Sequence, residues 1–139
     1  MLKVGLAKNL LLIDGPNFLL TIKNGQETEI GLKKLMISLA KEVIEGNNFS
    51  EYKLEIYCDC QNWQNDYFIS SFANKEYKII FCPKKSGGAD QFILNRLKEL
   101  NGGDILVVTD DKDLRLEALF TSAIKKISLL GVAEFKEQI

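Results

Sequence analysis

Residues Asp104–Asp110, DILVVTD, set Ile105, Leu106, Val107 and Val108 in an unbroken apolar run that stops on a hydroxyl and a carboxylate. A strand with one face in water alternates apolar and polar side chains. An unbroken run instead fits a strand covered on both faces, as in a parallel sheet flanked by helices. Asn101-Gly102-Gly103 precedes it as a helix stop, and a helical pattern follows over about Lys112–Phe120. The local unit is helix, buried strand, helix.

Working outward, the same alternation recurs. Leu10–Ile13 reads as a first strand. Leu32, Leu35, Met36, Leu39 and Val43 recur at three and four, predicting an amphipathic helix over Glu29–Glu45 that stops at Gly46-Asn47-Asn48. Tyr52–Cys58 and Tyr77–Cys82 read as strands, and NWQNDYFISSFA, from about Asn62, as a short helix between them. PKKSGGAD is a loop, Ala89–Leu100 a helix, and KKISLLG a last strand near the C-terminus. Strand and helix alternate, so the expected fold is a single α/β domain over residues 1–139 with a central, mostly parallel, five-stranded sheet. In such a sheet ligands bind beyond the carboxyl ends of the strands, where strand order reverses.

Composition narrows the function. The chain has 139 residues, enough for one core and short for two, and is 46% hydrophobic and 27% charged, an ordinary globular balance. No apolar run approaches the ~20 residues of a membrane span. Lys8 interrupts the N-terminal apolar stretch and no small-residue cleavage site follows, so this segment reads as the approach to a strand and not as a signal peptide. Cys58, Cys60 and Cys82 form no regular framework, which fits a reducing, cytoplasmic setting; a structural zinc site would want a fourth ligand that no histidine can supply. The absence of histidine also removes His-based acid–base catalysis and catalytic triads. A net charge of −1 means that any grip on an anion must be local.

Acids gather where the strands end. Asp14 closes the first strand, Asp59 follows the second, Asp90 opens the helix after the third, and Asp110, Asp111 and Asp113 follow the fourth. Two carboxylates ~4 Å apart repel by about 1 kcal/mol in bulk water and about 4 at an effective dielectric of 20. A cluster is therefore costly unless a proton or a cation such as Mg²⁺ or Mn²⁺ offsets it. Each acid alone has a plainer reading. Asp14-Gly15-Pro16-Asn17 is good turn chemistry, Asp90 suits a first helical turn, and Thr109 or Asp110 with Asp113 resembles an N-cap and its partner. Lys84 and Lys85 could meet phosphates or be solvated loop lysines, Ser86 adds a hydroxyl, and Arg115 is a further cation near the rim. Gly87-Gly88 could cradle a phosphate or permit a tight turn. Trp63 and Tyr67 could stack a base or pack in the core.

LLLIDGPNF, GGADQFILNRL and ILVVTDDKDLR, in this order and spacing, resemble the NYN domains of the PIN-like nuclease superfamily, especially the bacterial YacP-like branch. The resemblance covers roughly Leu10 to Leu130. It implies a three-layer, Rossmann-like domain with an acidic pocket for Mg²⁺ or Mn²⁺, acting as an endoribonuclease on single-stranded or structured RNA. By motif it places Asp14, Asp90 and Asp110 in the metal-binding, catalytic set, with Asp113 as a fourth member. Asn17 would orient the cluster, Thr109 would support it, Asp59 would be an outer ligand, and Asp111 would face solvent. The chain departs from the pattern at Pro16, in its lack of basic charge, and in ending soon after the last strand. A PIN-like module that binds RNA or a protein without cutting, alone or as a homodimer, is the alternative. A dinucleotide binder lacks G-x-G-x-x-G after the first strand, and a phosphatase built on Asp14 lacks a second acid two positions on.

Overall fold

The structure is a computed structural model and describes residues 9–15, 29–60, 66–100, 102–121 and 126–139. Its strands are β1 (Asn9–Asp14), β2 (Tyr52–Cys60), β3 (Asp66–Phe72), β4 (Lys75–Pro83), β5 (Asp104–Val108) and β6 (Lys126–Leu130). Its helices are α1 (Glu29–Gly46), α2 (Gly88–Glu99), α3 (Lys112–Leu119) and α4 (Val132–Gln138), with a 3₁₀ turn at Lys84–Ser86.

The strands form one sheet in the order β3-β4-β2-β1-β5-β6. β1 pairs in parallel with β2 and β5, β2 with β4, and β5 with β6, while β3 runs antiparallel to β4. The sheet is therefore mixed and six-stranded, where the sequence predicts five. The extra strand is β3, which stands in place of the expected helix after Asn62. Its accessibility alternates along DYFISSF, and Ala73 and Asn74, both at positive φ, turn it directly into β4. A second addition is α4, a seven-residue helix directly after β6 that buries Val132 and Phe135.

Side-chain alternation divides the core in two. Leu11 and Ile13 of β1, Ile56 and Cys58 of β2, and Val108 of β5 pack with Met36, Leu39 and Val43 of α1 and Phe135 of α4. Leu10 and Leu12, Tyr57, and Ile105 and Val107 pack on the other face, with Ile93 and Leu97 of α2 and Leu114 and Ala118 of α3. Helices thus cover both faces. Each fully buried Leu, Ile or Met contributes about 1.5–3 kcal/mol, well above the intrinsic helix or strand preferences of those residues. α1 stops at Asn47, whose left-handed φ of 61° turns the chain while its N–H donates to the Ile44 carbonyl at 3.1 Å. No described helix is long and apolar enough to cross a membrane.

After β1 the chain lays β2 and β4 to one side, then crosses to place β5 and β6 on the other. The strand order reverses between β1 and β5. The carboxyl ends of these strands flank the crevice where ligands bind in open α/β sheets.

Candidate metal centre

Alternation along each strand continues past its end and sorts the acids. Asp14 shares a face with Leu12, Asp59 with Tyr57, and Thr109 and Asp111 with Val107; that is the face on which α2 and α3 pack. Asp90 enters the same space from the first turn of α2. Asp110 has the opposite parity, with Val108, and faces α4.

Asp14 is the deepest of the group, 1% exposed. Its Oδ2 accepts from the Thr109 hydroxyl at 2.8 Å, and Thr109, itself fully buried, accepts from the Asp111 amide at 3.1 Å. Burial pushes the Asp14 carboxyl up to about 7; the Thr109 bond opposes this, and Asp90, Asp59 and Asp111 add to it. Asp90, half-buried, is pushed up to about 6, first by burial, then by the charge of Asp111 and a hydrogen bond shared with that side chain, with Asp59 and Glu117 contributing. Asp111 caps α3 by accepting from the Leu114 amide at 2.8 Å. Asp59 accepts from the Ala89 amide at 2.6 Å, tying the end of β2 to the start of α2.

Three of the expected acids, Asp14, Asp59 and Asp90, therefore come together with Asp111, from four elements, with Thr109 beneath them. Among the described residues no lysine or arginine pairs with any of the four. Asp111, expected to face solvent, is half-buried in the group. Asp110 is exposed and accepts from the Val132 amide at 2.9 Å, capping α4. The N-cap of α3 is Asp111 with Leu114, not Thr109 or Asp110 with Asp113; Asp113 lies exposed in the first turn of that helix. Arg115 donates to the Thr109 carbonyl at 3.2 Å and braces the exit of β5. Lys84, Lys85 and Ser86 form the exposed 3₁₀ turn on the same rim. Asn17, Pro16 and Trp63 lie outside the described residues.

The glycine pair serves the turn. Gly87 has φ 100° and Gly88 φ 69°, and a Cβ on Gly88 would stand 2.7 Å from Asp59 Oδ1. The Gly87 amide donates to the Lys84 carbonyl at 3.0 Å and the Ala89 amide to Asp59, so neither is turned to a ligand.

Below the rim on the same face, Glu55 is 7% exposed and accepts from Arg96 of α2 at 2.9 and 3.1 Å and from the Tyr57 hydroxyl at 2.6 Å. This network fastens α2 to β2 and so sets where Asp90 sits. Sequence reasoning missed it, because Glu55 in YKLEIYC looks like the solvent side of an alternating strand. A cavity of about 220 Å³ lies at the opposite end of the sheet, lined by Leu11, Val43, Phe49, Tyr52, Leu54 and Lys75.

Cys58, Cys60 and Cys82 are free, buried thiols. Burial pushes the Cys58 thiol up to about 12.

The acidic group is an oxygen-only donor set, the kind that hard divalent cations take. Its chemistry fits Mg²⁺ or Mn²⁺. Its spacing is looser than ligation demands: among the described residues no three such side chains stand close enough to hold one ion together. The repulsion that a cation would offset shows in Asp90, whose carboxyl is raised by burial and by the charge of Asp111 beside it.

No protein-family model matches the chain, nor does any curated protein or solved structure, so the likeness to NYN domains rests on the three motif segments themselves.

Proposed function

We propose that the protein is a metal-dependent endoribonuclease with a PIN-like, NYN-type domain, hydrolysing RNA phosphodiester bonds at the rim between β1 and β5. One observation carries this reading: four carboxyls from separate elements converge at the switch point of the sheet, and the most buried has no cationic partner among the described residues. Folding alone gains nothing from such an arrangement. Asp14, Asp90 and Asp111 would draw in around Mg²⁺ or Mn²⁺, closing the loose spacing described above, with Asp59 as an outer ligand and Thr109 holding Asp14 in orientation; Asp113 and Asn17 are further candidates. The ion would supply Lewis-acid stabilisation of the phosphodiester and lower the pKa of an attacking water. Lys84, Lys85 and Ser86, exposed beside α2, would hold flanking phosphates. Three free thiols suit a cytoplasmic protein.

The loose spacing of the acids and the net charge of −1 favour a second reading, a PIN-like module that binds RNA or a protein without cutting it. Cleavage of end-labelled single-stranded RNA in Mn²⁺, in Mg²⁺ and in chelator separates the two. We expect cutting with metal, none in chelator, and at least a ~100-fold loss in Asp14→Asn. RNA binding that survives Asp14→Asn, without cutting in any lane, would favour the module.

A further inference from the structure

We propose that the protein forms a two-fold dimer by antiparallel pairing of β3 with β3 of a second copy. This inference is independent of the nuclease reading. β3 ends the sheet, pairs with β4 along all seven of its residues, and has no strand on its outer side among the described residues. It lacks the devices that usually protect an edge, such as proline, bulge or a run of lysine.

The direction of its free groups follows from one bond. The Tyr67 amide donates to the Asp66 carboxylate at 2.7 Å and so does not point at β4. By strand alternation the amides and carbonyls of Ile69 and Ser71 share that outward direction. A two-fold axis through Ile69, normal to the sheet, sets Tyr67 opposite Ser71 of the second copy, Ile69 opposite Ile69, and Ser71 opposite Tyr67. This register uses all three outward-facing residues; a shift by one residue loses at least one pair.

Side chains agree on both faces. On the face of α2, Tyr67 and Ile69 are 56% and 53% exposed, and the axis brings the two isoleucines together. On the face of α1, Phe72 stands opposite Asp66 of the second copy. Lys41 already lies over the Phe72 ring, 5.5 Å from its centroid, which places an ammonium beside the incoming carboxylate. Asp66 would exchange the Tyr67 amide for Lys41, and the freed amide would join the ladder. Two six-stranded sheets would become one of twelve, with the two acidic rims at opposite ends and on the same face.

Sedimentation equilibrium on the full chain tests this. The interface is small, so a dimer should be evident at ~100 μM and dissociate on dilution into the low micromolar range. Ile69→Lys opposes two ammonium groups across the axis and should weaken the dimer by roughly tenfold or more. Its melting temperature at dilution should stay unchanged, because the position is half exposed. Lys41→Glu should weaken association, and Lys41→Glu with Asp66→Lys should restore it. A wild-type chain that stays monomeric at ~100 μM would overturn the proposal, and so would a dimer that Ile69→Lys leaves intact.

Discussion

Two carboxylates are buried on the same face of the sheet and are treated in opposite ways. Glu55 is met by a two-point bond from Arg96 and by the Tyr57 hydroxyl, so its charge is neutralised where it stands. Asp14 has one hydroxyl beneath it and three other acids around it. The first arrangement holds α2 to the sheet; the second works against folding at neutral pH. A core that supplies an arginine to one carboxylate and leaves the other among acids treats them differently: Glu55 anchors, and under the proposed function Asp14 would meet a cation.

The largest effect should come from breaking the anchored pair. Arg96→Met leaves Glu55 buried with only the Tyr57 hydroxyl and should cost about 2–4 kcal/mol in denaturant unfolding, a little under the full buried-pair penalty because Arg96 is partly exposed. A loss below ~1 kcal/mol would mean that water or another group replaces the guanidinium, and the contrast with Asp14 would collapse.

Asp14→Asn should act in the opposite direction. In the fold the Asp14 carboxyl is raised from the usual 3.8 to about 7. Below pH ~4 it is protonated in folded and unfolded chains alike and costs nothing. As pH rises toward 7 the unfolded chain ionises first, and stability falls by an amount on the order of 4 kcal/mol that is complete above pH ~7. Asparagine keeps the Thr109 bond without the charge. In metal-free buffer Asp14→Asn should therefore be more stable than wild type at pH 8 by about 1–3 kcal/mol, with the gain shrinking by pH 5 and vanishing near pH 4. Melting curves of both proteins across that range read it directly. A mutant less stable than wild type at pH 8 would make Asp14 a turn residue.

The smallest effect should sharpen the comparison at two adjacent residues. Asp110→Ala removes the cap of α4 and should cost about 1 kcal/mol without touching metal-dependent cleavage. Asp111→Asn keeps the cap of α3 and should abolish that cleavage at little cost in stability. Equal loss of cleavage in both would mean that Asp110 leaves α4 to join the site.

The sequence made most of this legible, for reasons that particular residues explain. DILVVTD and LLLID announce buried parallel strands because no polar residue interrupts them. Asp14, Asp59, Asp90 and Thr109 could be assigned to one rim because each closes a strand or opens a helix. β3 was not legible: Phe68 and Phe72 stand four apart, a spacing that suits a helix face as well as one face of a strand. The turn that decides between them, Ala73-Asn74, lacks the glycine that usually marks a two-residue hairpin. α4 has only Val132 and Phe135 to declare its buried face, too few for a period. The parity of β5, carried two residues past its end, is enough to set Asp110 toward α4 and Asp111 toward α2 and α3.

The contact between Gly88 and Asp59 reaches beyond this one chain. Any side chain at position 88 must adopt a left-handed backbone and also displace the carboxylate that holds the Ala89 amide. The two positions are thus coupled through this one contact. A relative that carries a larger residue at 88 should have given up the acid at 59, and one that keeps the acid should keep the glycine. Across a lineage, this pair would record whether selection has maintained the rim or let it drift.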